Sequence, residues 1–103
     1  MALDFAQIDS NGTVTGHTVR LDPRAHLSII HNLASGEFPM LHRMREYYED
    51  VHYSHSELEL LEDELRRRLL CDLSETDRAL VKKMLDLVVD SMGSGFRVEA
   101  IAD

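Results

Sequence analysis

The stretch QIDSNGTVTGHT, Gln7 to Thr18, decides how the chain begins to fold. Two readings compete for it. Asp9, Asn11 and Gly12 stand at the spacing of a calcium-binding loop, D-x-[DN]-x-[DN]-G, and Val14 takes the place such loops give to an aliphatic residue. The ends do not suit calcium. The first ligand position holds Gln7, a neutral amide. The twelfth holds Thr18, a single hydroxyl where a bidentate carboxylate is needed. Only six residues precede the loop, too few for an entering helix. The second reading is a β-hairpin. Asn11-Gly12 tolerates positive φ at both turn positions. Strand-forming residues flank it: Phe5 and Ile8 before, Thr13, Val14, Val19 and Leu21 after. The hairpin is the reading that fits.

Beyond it, punctuation marks four helices. Asp22-Pro23 reads as an N-cap and a first-turn proline. The helix then runs from Arg24 to about Ala34, with Leu27, Ile30 and Leu33 on one face, and Ser35-Gly36 stops it. Pro39 opens a second helix, expected to reach about Val51 with Leu41, Met44, Tyr48 and Val51 turned inward. Ser54 or Ser56 caps a third, each with a glutamate three residues on. Leu58, Leu61, Leu65 and Leu69 form its apolar stripe. Leu60 and Leu70 fall off that stripe. Ser74 with Asp77 starts a fourth helix, expected to end near Met92 at Gly93. Its apolar arc from Leu80 to Met92 is wide enough to make it the most buried. Phe96 to Ile101 alternates like a strand and can join the hairpin in a three-stranded antiparallel sheet. The expected fold is therefore α+β: an N-terminal hairpin, about four helices in a small bundle, and a C-terminal strand. A helical bundle with irregular ends is the alternative.

A chain of 103 residues reads as one compact domain spanning 1–103. Its 44% hydrophobic and 29% charged content is that of an ordinary globular protein. Cys71 stands alone, so no intrachain disulfide is expected, which fits a reducing, cytoplasmic setting. No secretory leader or membrane span is apparent. The formal charge of −8 disfavours nucleic acid and anionic lipid as partners and favours basic proteins.

Catalytic signatures are absent from the sequence: there is no G-x-S-x-G, no P-loop, no G-x-G-x-x-G and no C-x-x-C. Cys71 follows Leu69-Leu70 at a helix end, where a thiolate is disfavoured. A non-enzymatic protein without cofactor is expected. Six histidines raise a metal alternative. On a continuous helix His42, Glu46 and Glu49 share one face, with His52 and His55 nearby. That face is a solvated one and Arg45 intrudes on it, so no metal site is assigned. His17, His26 and His31 show no ligand spacing and read as turn or surface residues.

The charge distribution is the strongest anomaly. From Glu46 to Glu64 there are eight acids and no lysine or arginine, with three tyrosines interleaved. Glu62, Asp63 and Glu64 each precede an arginine by four residues (Arg66, Arg67, Arg68), and Arg45 precedes Glu49 by four, so these acids have helix-surface partners. Glu46, Asp50, Glu57 and Glu59 remain. Tyr47 and Tyr53 are the surface candidates among the tyrosines, with Tyr48 on the core face. Carboxylates steer a basic partner, and tyrosines supply rigid contact area. The expected partner-binding set is thus Glu46, Tyr47, Asp50, Tyr53, Glu57 and Glu59. Tyr47-Tyr48-Glu49-Asp50 resembles the tyrosine pair beside acids in small acidic immunity proteins of nuclease toxins. Those proteins carry a proline after the pair and lack an N-terminal hairpin. The resemblance implies a bacterial protein that neutralises a basic toxin by stoichiometric occlusion. A structural homodimer, paired through the hairpin or the terminal strand, is a further alternative.

Overall fold

A computed structural model of the chain describes residues 2–33 and 35–102. The hairpin is present. Strand β1 (Leu3–Ile8) runs antiparallel to β2 (Val14–Leu21), and Gly12 turns at φ +81°. The Asp9 carboxylate accepts the N–H groups of Asn11 at 2.9 Å and Thr13 at 3.0 Å. The residue that suggested calcium thus closes the turn onto its own backbone.

After β2, Asp22 accepts the Ala25 N–H at 2.7 Å and caps α1 (Pro23–His26), which continues as a π-helical turn, Leu27–His31. The α-helix is shorter than the expected span to Ala34, and Ala34 itself lies outside the described residues. The second helix is a larger correction. Helix α2 covers only Pro39–His42, and residues 43–50 form an irregular loop. Val51–Tyr53 is a strand, β3. Spacing of apolar residues at 41, 44, 48 and 51 imitates a helix. The alternation Val51-His52-Tyr53 decides otherwise, because it buries Val51 and Tyr53 on the sheet and leaves His52 outside.

A single 3₁₀ turn (His55–Glu57) leads into α3 (Leu58–Leu69). Ser74 accepts the Asp77 N–H and caps α4 (Glu75–Ser94), which ends at Gly95 with φ 73°. That helix runs two residues past the expected stop and packs on β1, β2, β4 and α3. The last strand, β4 (Arg97–Ala102), lies inside the sheet. The order is β2-β1-β4-β3, antiparallel throughout, with four strands rather than three. The terminal strand is consequently no free edge.

The helices cover one face of this sheet. Leu3, Phe5, Val19, Leu21, Val51, Tyr53, Val98 and Ala100 meet Ile29, Ile30, Leu41, Met44, Leu61, Leu65, Met84 and Val88 in one apolar cluster. Each fully buried leucine or isoleucine contributes about 1.5–3 kcal/mol by leaving water. Polar side chains staple the layers. Glu64 accepts the Met40 and Leu41 N–H groups at 3.0 and 2.9 Å, and Arg68 donates to the Ser28 and Ile29 carbonyls. Both side chains turn inward, so the expected Glu64–Arg68 surface pair does not form. The neighbouring pairs Glu62–Arg66 and Asp63–Arg67 do, each at 2.9 Å.

Both sheet edges are blunted. In β2, residues 15–17 bulge opposite Gln7, whose carbonyl accepts the Thr15 hydroxyl and whose amide donates to Asp90 and Ser91 of α4. At the end of that strand the Leu21 carbonyl accepts the Tyr47 hydroxyl. On the short edge strand β3, Arg43 donates to the His52 carbonyl at 2.5 Å. An edge so occupied resists pairing with another strand.

Candidate functional site

The loop 43–50 carries the sequence features singled out above, and its ends are fixed. Arg43 donates to Glu57 at 2.9 Å and to the His52 carbonyl, and its guanidinium lies 4.7 Å from the Tyr53 ring centre. At the other end the Asp50 carboxylate accepts the Ala102 N–H at 2.7 Å. The middle is held by aromatic rings. His26, buried in α1, is hydrogen-bonded through Nε2 to the Met44 carbonyl at 2.7 Å. Its ring meets Tyr47 edge-on at 4.9 Å, and Tyr47 meets Tyr48 edge-on at 5.4 Å. His26 is therefore a core residue, not the surface residue that its spacing suggested.

This arrangement redistributes the expected site. Tyr53 is fully buried and donates its hydroxyl to Met40, so it presents nothing to a partner. Burial pushes its phenol far above the ordinary tyrosine value, because the phenolate would sit in the core, and Arg43 only partly offsets this. Tyr47 is half-buried. Tyr48, expected in the core, is instead 67% exposed. The reason is the short α2: without a continuing helix, residue 48 does not follow residue 44 round to the inner face.

The acids divide in the same way. Glu57 is engaged: it accepts the Ser54 N–H at 2.9 Å and the Arg43 guanidinium at 2.9 Å. The backbone bond from Ser54, aided by Arg43, holds its carboxyl below the usual glutamate value despite some desolvation. Asp50 is exposed but tied to the end of β4. Glu46, Glu49 and Glu59 are exposed, and their carboxylates meet no partner among the described residues. Arg45 donates to the His42 carbonyl rather than to Glu49. The expectation of Tyr48 in the core and of Glu49 paired with Arg45 is thus corrected: both side chains are exposed. The signal for both was the strand at Val51–Tyr53, which requires a turn before it.

The metal alternative loses its geometric basis with the long helix. His42 belongs to α2 while Glu46 and Glu49 follow in the loop. The His52 ring lies 3.2 Å from Glu99 on the sheet. Among the described residues no three histidine, cysteine, aspartate or glutamate side chains are grouped to hold a metal ion. The same residues open no pocket, and none of their helices is long and apolar enough to cross a membrane. Cys71 is half-buried, its Sγ 3.6 Å from the Arg67 carbonyl.

No protein-family model, curated protein or solved structure matches the chain.

Proposed function

We propose that this chain is a small non-enzymatic interaction protein that binds a basic protein partner through the loop 45–50. The observation that carries the reading is the placement of Tyr48. Its ring is exposed yet braced edge-on by Tyr47, which rests on His26. Glu46 and Glu49 stand on either side of it in sequence with uncompensated carboxylates. A braced aromatic loses little freedom on binding, and flanking charges of one sign select a cationic counterpart. The chain's charge of −8 supplies long-range attraction for the same class of partner. Glu59, exposed at the start of α3, extends the acidic surface.

The most concrete form is an immunity-type inhibitor that occludes a basic toxin in a bacterial cytoplasm, as the tyrosine pair beside acids suggests. The test is affinity capture from the native cell extract at low and high salt, read by mass spectrometry. A basic protein retained at low salt and released at high salt is the expected result. It must also be lost from a Glu46→Lys/Glu49→Lys bait. Capture that is indifferent to both salt and the charge reversal overturns the reading.

A further inference from the structure

Residues 46–49 form a tight turn. The Glu49 N–H donates to the Glu46 carbonyl at 3.2 Å, so Tyr47 and Tyr48 take the two central positions and the glutamates stand at the ends. A turn of this kind keeps its first and fourth Cα atoms within about 7 Å. Two exposed carboxylates, neither in an ion pair among the described residues, are thereby gathered around Tyr48. Tyr48 is also the one exposed phenylalanine or tyrosine among those residues.

The same molecule shows what a ring beside a carboxylate holds. Arg43 lies over the Tyr53 ring, 4.7 Å from its centre, while bonded to Glu57 at 2.9 Å. Arg67 lies over the Phe38 ring, 4.9 Å from its centre, while bonded to Asp63 at 2.9 Å. In both places a guanidinium covers an aromatic face and a carboxylate fixes its edge. The turn 46–49 presents ring and carboxylates without the guanidinium. Arg45, the nearest cation in the chain, does not supply it. It donates to the His42 carbonyl at 3.4 Å and lies over no ring among the described residues.

We infer that this turn receives an arginine side chain of the partner, its guanidinium laid on Tyr48 and its N–H edges directed to Glu46 and Glu49. The inference rests on the reading of the loop 45–50 as the partner site and adds the chemistry of the contact. A guanidinium suits the turn better than an ammonium. It is planar and weakly hydrated, so one face packs on a ring while its in-plane donors reach carboxylates at the sides. A lysine ammonium is a compact, strongly hydrated point charge. The carboxylates attract either cation, so the discrimination belongs to Tyr48.

Amide-shift NMR titration of the isotope-labelled full chain at low ionic strength tests the inference, with two capped hexapeptides that alternate glycine with arginine or glycine with lysine. The arginine peptide is expected to bind about threefold or more tightly than the lysine peptide, with the largest shifts at residues 46–49. Tyr48→Leu brings the arginine peptide down to the affinity of the lysine peptide, and Tyr48→Phe keeps the preference. Glu46→Gln/Glu49→Gln weakens both peptides. Equal affinities, a preference that survives in Tyr48→Leu, or shifts centred elsewhere overturn the inference. If the lysine peptide binds at 46–49 as well as the arginine peptide does, the loop remains the site for a basic partner and only the arginine preference falls. Binding of neither peptide there also overturns the inference, and the wider reading is then decided by the salt-dependent capture.

Discussion

The Tyr53 hydroxyl donates to the Met40 carbonyl at 2.6 Å, tying the strand β3 to the helix α2 across the core. Tyr53→Phe keeps the ring and its packing but leaves the carbonyl one donor short. Loss of about 1 kcal/mol of unfolding free energy in urea is expected. Because burial keeps the phenol protonated, the same substitution leaves the alkaline tyrosinate absorbance of the native protein unchanged. A smaller native absorbance step in Tyr53→Phe would mean that residue 53 is reached by solvent.

A second tie fixes the start of α2. Glu64, 3% exposed, accepts the N–H groups of both Met40 and Leu41. A buried carboxylate with two backbone donors is a strong bond set, and Glu64→Ala removes both acceptors at once. The expected cost is about 2–3 kcal/mol, read from the urea midpoint. Glu62→Ala removes only a surface i,i+4 pair with Arg66 and costs about 0.5 kcal/mol or less. Equal costs for the two would contradict the inward turn of Glu64.

Acid stability follows from the engaged carboxylates. At Asp77 burial works against the charge, but hydrogen bonds from Ser28 and Arg24 outweigh it and hold the carboxyl below 3.8. At Glu57 the Ser54 and Arg43 bonds hold it below 4.5. A group whose folded value is depressed binds its proton more readily in the unfolded chain. Its contribution is complete above the unfolded value and is lost as pH falls through the folded one. Thermal stability should therefore decline as pH drops from about 4.5 downward, and Asp77→Asn should flatten the lower part of that decline. An unchanged pH profile in Asp77→Asn would assign the acid limb to other groups.

Much of this fold was legible in the sequence because local chemistry and final structure agree. The hairpin turn forms with Gly12 at positive φ, though Asn11 does not share it, Asp22 and Ser74 capped their helices, and the apolar stripe of Leu58, Leu61 and Leu65 faces the core. The misreading lay between Met44 and Tyr53. There the helical spacing of apolar residues was real, but its causes were tertiary. Tyr53 is drawn to Met40, and Arg43 to Glu57 and the His52 carbonyl, contacts no local period encodes. The site inherited the same error, with Tyr53 assigned to the surface and Tyr48 to the core. Pairing order was also out of reach: the pattern of Arg97–Ala102 shows a strand, but not its place between β1 and β3.

Glu46, Glu49 and Tyr48 should act on different phases of partner binding. The two carboxylates are exposed and uncompensated, so their field extends into solvent and accelerates encounter. Glu46→Lys/Glu49→Lys is expected to slow association with the captured basic partner about tenfold or more and to flatten its dependence on salt. In the proposed complex Tyr48 would act only on contact. Its braced ring would add packing that must be broken on release, so Tyr48→Ala should speed dissociation about tenfold and leave the association rate nearly unchanged. Stopped-flow or surface-resonance kinetics over a range of ionic strength separates the two. If Tyr48→Ala altered only the association rate, the ring would not be in the interface, and the loop would act as a charged surface without an anchor.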